Sequence, residues 1–460
     1  MQQIEAERSV GARLDALPAR AVWPLVVLIS LGAFFEFYDL MMTAYISPIL
    51  VRDGVFHLGA RGLFGLDDQA SFAAATFLGL FVGTIAFARI ADRFGRRAIF
   101  TFSLIWYTAA TLVMAAANGP VGVDLARFFA GVGVGVELVT IDAYLAELAG
   151  PGRRGRVFAV SQAIQFTAVP VVAFVSLALA PRTVLGLAGW RWVAILGAAA
   201  ALAVWFIRAR LPESPRWLAA HGRLAEAWAI VERLEGGHAR SPAPVSATAS
   251  APIAEAPKPA PAAAVSPFAP AWRGRTVMLT VFNLAQAIGY YGFANWAPAL
   301  IAARGHPILK SLLYGAVIAI AWPLSSLACA PLADRLERRR LIALACLATA
   351  ALGLLFGVQT APAALIVFGV AIVFSNNLMS LAFHAYQAEV FPTLVRARAA
   401  GFVYAWSRLS TALSSFAIAA LLRAAGVGAV FAFIALAMVT AAAAVGLFGP
   451  PARGRALETI

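Results

Sequence analysis

Long apolar runs alternate with short polar connections along almost the whole chain, and the runs have the length of a membrane-spanning helix. At 1.5 Å per residue, about 20 apolar residues cross a hydrocarbon core about 30 Å thick. Runs of that kind occupy 22–50, 68–90, 99–118, 121–148, 157–180 and 190–211, then 276–303, 309–331, 341–359, 362–390, 400–422 and 427–448. Twelve transmembrane helices are therefore predicted. Between the sixth and the seventh the pattern changes. "PESPRWLAAHGRLAEAWAIVERLEGG" spaces its apolar positions as an amphipathic helix does, and the following "SPAPVSATASAPIAEAPKPAPAAAVSP" cannot bury a core and reads as a disordered linker. The predicted organisation is an N-terminal six-helix bundle over 1–211, a linker region over 212–275 and a C-terminal six-helix bundle over 276–460.

Composition agrees with an integral membrane protein: of 460 residues, 62% are hydrophobic and 13% charged, with a mean hydropathy of +0.81. The net charge of +14 would suit a nucleic-acid partner if it formed one patch, but it does not. Arg89, Arg93, Arg96 and Arg97 follow the second span, Arg153, Arg154 and Arg156 the fourth, Arg335, Arg338, Arg339 and Arg340 the eighth, and Arg396 and Arg398 the tenth. The alternate connections, such as 118–122 and 359–362, carry almost no Lys or Arg, so the positive-inside rule puts both termini in the cytoplasm. Basicity here encodes topology, and no nucleic-acid partner is expected. The first apolar run is too long for a cleavable signal peptide and is expected to stay in the mature chain. Cys329 and Cys346 both lie in apolar spans, which points to neither a disulfide framework nor a metal site.

The two halves repeat each other. "ADRFGRR" at 91–97 returns as "ADRLERR" at 333–339, an offset of 334 − 92 = 242, and "YLAEL" at 144–148 returns as "YQAEV" at 386–390, an offset of 386 − 144 = 242. Two separate motifs with one offset indicate two parallel six-span repeats, an arrangement of secondary transporters with a midplane site between the halves.

Four segments carry a family resemblance: "ADRFGRR", "ARFFAGVGVGVELVTIDAYLAEL" with the "RRGR" after it, "PESPRW", and "EVFPTLVRARAAG". Together they resemble the major facilitator superfamily in its sugar-porter-like metabolite branch, and "GARLDALP" at 11–18 resembles permeases related to nicotinate transporters. The resemblance implies an all-α fold of two pseudo-symmetric six-helix bundles. It also implies a cytoplasmic gating network of Asp92, Arg93, Arg96 and Arg97, its second copy Asp334 and Arg335, Glu147 with Arg154, Glu389 with Arg398, and Glu213 with Arg216. Such pairs hold helix ends together and break when that side opens; simple anchoring of helix ends is the alternative. Glu337 stands where the family pattern has Gly.

Charges inside the spans are the candidates for chemistry, because an intramembrane acid is costly unless paired, hydrated or protonated. Asp39 lies 17 positions into the first span, about 26 Å from its start, and Arg127 lies about 9 Å below the outer surface on the descending fourth span. The two reach similar depths. Proton-coupled sugar porters similarly carry an Asp in the first span and an Arg at the start of "RFFAGVGVG", so by resemblance Asp39 accepts the proton and Arg127 is its partner. Glu36, one turn away, shares the site. A static ion pair is the competing reading. The glycines of "GVGVG" follow no strand, which excludes a dinucleotide fingerprint; within an apolar span they let helices approach closely. Glu137 and Asp142, further along the fourth span, line the cavity or bond neighbouring helices.

The substrate region departs from the sugar pattern. With Pro298 aligned on the proline of the family's "YYAP", Gln286 and Gly289 match the amide array "QQxxGxN". Ala285, however, replaces the first Gln, Tyr291 replaces the Asn, and Asn295 and Trp296 replace the two tyrosines. His384 takes the place of a tenth-span Trp. Each sugar hydroxyl left unpaired costs about 1–3 kcal/mol, which disfavours a hexose. The remaining set is Tyr290, Tyr291, Trp296 and Trp322 with Gln162, Gln165, Gln286, Asn295, Asn376 and Asn377; His384 and Arg127 add positive charge, and Arg408 in the eleventh span is a further candidate. It suits a small, flat, aromatic or heterocyclic carboxylate, with helix packing as the other explanation of the aromatics.

The expected function is proton-coupled uptake of such a metabolite through the cytoplasmic membrane by a monomer in the lipid bilayer, with a small-molecule substrate, protons and no cofactor. Efflux by the same residues is one rival, and a transport-like metabolite sensor is another. An enzyme is disfavoured by the lack of a metal-ligand cluster or a nucleophile and base set.

Overall fold

The computed structural model describes residues 2–57, 67–94, 96–148, 154–208, 211–235, 268–270, 272–391 and 393–451. The Ala/Pro/Ser tract falls outside them. Helix α1 (Gln2–Ala16) precedes the first bundle, which comprises α2 (Ala19–Arg52), α3 (Asp68–Phe94), α4 (Arg96–Ala116), α5 (Pro120–Leu148), α6 (Arg154–Phe166) with α7 (Ala168–Leu179), and α8 (Gly189–Arg208). A two-residue hairpin, β1 (Thr183–Val184) with β2 (Leu187–Ala188), joins α7 to α8. Two short helices, α9 (Pro215–Ala220) and α10 (Leu224–Leu234), follow. The second bundle comprises α11 (Arg273–Ala294) with α12 (Ala297–Ala302), α13 (Ile308–Ala319) with α14 (Ala321–Arg335), α15 (Arg338–Val358), α16 (Pro362–Val390) and α17 (Thr393–Phe448).

Nine stretches among the described residues are long and apolar enough to cross a membrane; α4, α5 and the doubling of α17 bring the set to twelve spans. Helix α17 doubles at Gly426, whose φ of 77° and ψ of −173° only glycine adopts readily. Three other spans are broken by proline. Pro170, Pro298 and Pro323 each lack the N–H that would bond the carbonyl four residues back, at Phe166, Ala294 and Ala319, and the helix breaks at each of those carbonyls.

Sequence repetition becomes structural repetition at two tyrosines. Tyr144 and Tyr386, first residues of "YLAEL" and "YQAEV", are both fully buried. Tyr144 donates to the carbonyl of Pro212 at 2.6 Å and Tyr386 to that of Pro450 at 2.9 Å, each just past the last span of its own bundle. Within the first bundle α3 and α5 touch backbone to backbone. A Cβ at Gly79 would strike the carbonyl of Phe128, one at Gly131 that of Thr76, and one at Gly135 that of Leu80. The glycine run of the fourth span thus sets how close α3 and α5 lie.

The bundle end that carries α1, here the near end, has its own small core. Val10, Leu14 and Leu17 pack with Trp217, Leu218, Ala227 and Val231. Arg13 pairs with Glu235, and Arg216 with Asp15 at 2.6 Å. Helix α1 was not predicted, because its apolar face is too narrow to stand out until α9 and α10 lie against it. Glu337, in place of the expected Gly, has φ of −66° and caps α15 by accepting from the N–H of Arg340 at 3.0 Å. No left-handed conformation is needed there.

Candidate functional site

The two bundles meet along α2 with α12 and α13, α3 with α17, and α6 and α7 with α14 and α13. Among the described residues, two polar contacts fasten the bundles at the far end: Arg423 to Asp67 at 3.1 Å, and the Tyr45 hydroxyl to the Gly315 carbonyl at 3.3 Å. Between the ends runs an aromatic belt. Phe37, Phe166, Trp322 and Tyr290 follow one another with centroids 5.0 to 5.5 Å apart, and Tyr291 joins Tyr290 to Phe77 of α3. The belt is drawn from both bundles, so any relative motion of the two must repack it.

On one side of the belt lies the pair of α2 and α5. Arg127 Nη1 reaches Asp39 Oδ2 at 2.6 Å, and its Nη2 donates to the Asp39 carbonyl. Its Nε donates to Thr43 Oγ1 at 3.1 Å and Thr76 Oγ1 at 3.0 Å, while Thr111 donates to Asp39 Oδ1 at 2.8 Å. Both charges are buried, Arg127 completely and Asp39 to 4% exposure. The guanidinium also stands 6.0 Å over the Phe72 ring. A water-sized cavity flanks Asp39 between α2, α4 and α8, lined by Tyr38, Tyr107, Thr111 and Gly197. Glu36, one turn nearer α1, is fully buried.

Across the belt a second guanidinium has a different environment. Arg408 on α17 is 4% exposed and donates to the phenol oxygens of Tyr291 at 2.6 Å and Tyr404 at 3.0 Å. It lies over both rings, at 5.6 and 4.9 Å from their centroids. Among the described residues it pairs with no carboxylate. Two neutral phenols solvate a buried cation without cancelling its charge, so this face of the belt carries a net positive potential. His384 extends it: the imidazole is exposed, packs 5.7 Å from the Tyr404 ring, and donates Nδ1–H to the Ser380 carbonyl at 2.7 Å, which leaves Nε2 as an acceptor when neutral. Of the groups on this face, sequence reasoning gave Arg408 a minor place and Tyr404 none. The available signal was a lone arginine in an apolar span, the same signal that singled out Arg127.

The other predicted residues divide. Tyr290 donates to Asn377 Oδ1 at 3.4 Å, and the Asn377 amide reaches Ser325 Oγ at 2.5 Å, fixing α11, α14 and α16 together behind the belt. Asn376 points elsewhere: Thr349 of α15 donates to its Oδ1 at 3.3 Å inside the second bundle, because adjacent helical residues face about 100° apart. Asn295 sits at the break between α11 and α12 with both amide atoms buried and unpartnered among the described residues; Trp296 and Gln286 are buried near it in sequence. Gln162 and Gln165 are half-buried on α6. The side chains of Glu137, Asp92, Arg93, Arg96, Arg97, Arg154, Asp334, Arg335 and Arg398 lie outside the described residues. Of the expected gating partners, Glu389 pairs with Arg338 at 3.0 Å, Arg216 with Asp15, and Glu213 accepts from the N–H of Ser214 at 3.0 Å. Helix α1 supplies Asp15, a partner the sequence did not reveal.

The profile of the sugar (and other) transporter family matches residues 25–460. The chain belongs to that family. This transporter is 26% identical to the niacin transporter NiaP of Acinetobacter baylyi, over 98% of this chain and 99% of NiaP. It is 27% identical to the inner membrane metabolite transport protein YdjE of Escherichia coli, over 99% of each. The fold matches the xylose transporter XylE of E. coli in a partially occluded inward-open conformation, with a TM-score of 0.74 at 17% identity, covering 95% of this chain and all of XylE. The fold is the twelve-helix fold of the major facilitator superfamily, and the chain is a multi-pass membrane transporter of metabolites, not an enzyme.

Proposed function

We propose that this transporter imports a small aromatic or heterocyclic carboxylate across the cytoplasmic membrane with protons, by alternating access. One observation carries the reading: of the two buried guanidiniums among the described residues, Arg127 is neutralised by Asp39 and Arg408 pairs with no described carboxylate. A site with one uncompensated positive charge, walled by Tyr290, Tyr291 and Trp322, favours a flat anion over a neutral sugar. NiaP, a relative along nearly the full length, is named for niacin, a pyridine carboxylate, which fits the same chemistry.

In this reading the near end faces the cytoplasm, as the arginine distribution requires. With the far end open, Asp39 takes a proton and loses its hold on Arg127; the carboxylate binds Arg408 and frees α2, α5 and α17 to shift against one another. Closure remakes Asp67 with Arg423 at the far end. Opening of the near end separates the ion pairs that hold it. Release of substrate and proton lets Asp39 and Arg127 pair again, which resets the cycle.

Thermal unfolding of the purified protein in the presence of graded ligands tests the substrate class. Pyridine and benzene carboxylates are expected to raise Tm, with about 2.7 kcal/mol of stabilisation at about a hundredfold excess over Kd. Hexoses and polyols are expected to leave it unchanged. A response to sugars alone sinks the reading.

A further inference from the structure

A carboxylate that the coupling pair does not use lies above it. Asp124 is the fifth residue of α5, about 6 Å inside the helix start and about 4.5 Å nearer the far end than Arg127. It is 2% exposed, and neither of its oxygens has a partner among the described residues. An ionised carboxylate in that position has lost its water and gained nothing in exchange, whereas the neutral acid avoids that cost.

The groups around it sharpen the point. Asp68 opens α3, the helix packed along α5, at the same end of the bundle as Asp124. Asp68 is itself 1% exposed; one oxygen accepts from the His57 N–H at 2.7 Å, with the exposed His57 imidazole 3.7 Å away, and the other has no partner among the described residues. Ser71, one turn along α3, is buried with an unpartnered hydroxyl. Asp67 is held by Arg423 and the N–H of Ala70. From α8, Arg191 is engaged with the Ala115 carbonyl and Asn118, and α4 carries no charged residue at this level. From α2, Asp39 is held by Arg127 and Thr111. No cation among the described residues pairs with Asp124, although Arg127 stands three positions away on the same helix face.

We propose that Asp124 is a second proton-binding site, which takes protons from the outer solution past Asp68 and passes them to Asp39. The inference rests on the coupling reading above and adds a donor to it. The step balances: the Asp124 acid gives its proton to the Asp39 carboxylate, and Arg127, released by the now neutral Asp39, turns to the Asp124 carboxylate. Arg127 then alternates between a carboxylate on α2 and one on its own helix. The next outer proton neutralises Asp124 and frees Arg127 to return.

The test uses the full chain in proteoliposomes, comparing Asp124→Asn, Asp124→Glu and Asp39→Asn with the wild type across external pH. Uphill accumulation by Asp124→Asn is expected to fall about tenfold or more, most strongly at alkaline external pH where delivery limits the rate. Substrate counterflow persists, which shows a folded, binding-competent protein, and Asp124→Glu restores accumulation. If Asp39→Asn blocks accumulation and Asp124→Asn keeps the wild-type pH profile, this inference alone fails. If Asp39→Asn still accumulates substrate, the coupling reading and this inference fall together. Equal loss of counterflow and accumulation in Asp124→Asn assigns the residue a structural role only and overturns the proposal. So does a sodium gradient at fixed pH that drives uptake through Asp124.

Discussion

Asp39→Asn abolishes uphill accumulation of substrate and leaves exchange across the membrane intact. The amide keeps the shape of the carboxylate, so Thr111 and Tyr38 keep their packing, and Arg127 retains Thr43, Thr76 and the backbone carbonyl of residue 39 as acceptors. The titratable group alone is gone. A monoanion carried with one proton moves without net charge, so the wild type concentrates it about tenfold for each unit of pH difference. With the membrane potential held at zero, the variant equilibrates its substrate at equal concentrations on both sides, whatever the pH gradient. Radiolabelled uptake against counterflow in the same vesicles separates the two quantities. Persistent accumulation in Asp39→Asn would remove the proton role from this residue.

The second large effect is expected at Arg408. Arg408→Gln keeps donors for Tyr291 and Tyr404 and removes the positive charge that pairs with no described carboxylate, and carboxylate affinity falls about a hundredfold, or about 2.7 kcal/mol. Arg408→Lys retains the charge but not the planar fork that spans both phenols and a carboxylate, so its affinity lies between those of Gln and the wild type. The ligand-free Gln variant unfolds at no lower temperature than the wild type, since an unpaired buried cation contributes little or nothing to stability. That combination, weaker binding with undiminished stability, distinguishes a ligand anchor from a structural arginine. Unchanged carboxylate affinity in Arg408→Gln would place the anion elsewhere.

Much of the architecture could be read before any coordinates. Span length follows from bilayer thickness, but the breaks at Pro170, Pro298 and Pro323 were not legible, since Pro24 and Pro48 stand inside an unbroken α2. Asp39 and Arg127 stood out because a charge in an apolar run needs a partner, and simple helix rise brought their depths together. Contact partners were a different matter. Which of Asn376 and Asn377 reaches the belt depends on the rotation of α16 about its axis, a quantity that hydropathy does not encode for a helix buried on several sides. That Arg408 pairs with no described acid is a statement about many positions at once, and it cannot be read from the segment around Arg408 alone. Asp124 does not stand out in the sequence because it is the fifth residue of α5, where acids ordinarily favour the helix dipole, and only its burial without partners among the described residues sets it apart. Helix α1 escaped for a related reason: Val10, Leu14 and Leu17 form a stripe that has meaning only against α9 and α10.

Coupling of proton and carboxylate movement is the claim on which the rest depends, and the pH outside lightly buffered proteoliposomes reads it directly. Addition of the carboxylate to vesicles containing the wild type should make the external medium more alkaline, with a response that a protonophore collapses and Asp39→Asn lacks. Substrate entering the vesicles with no change in external pH would contradict the account.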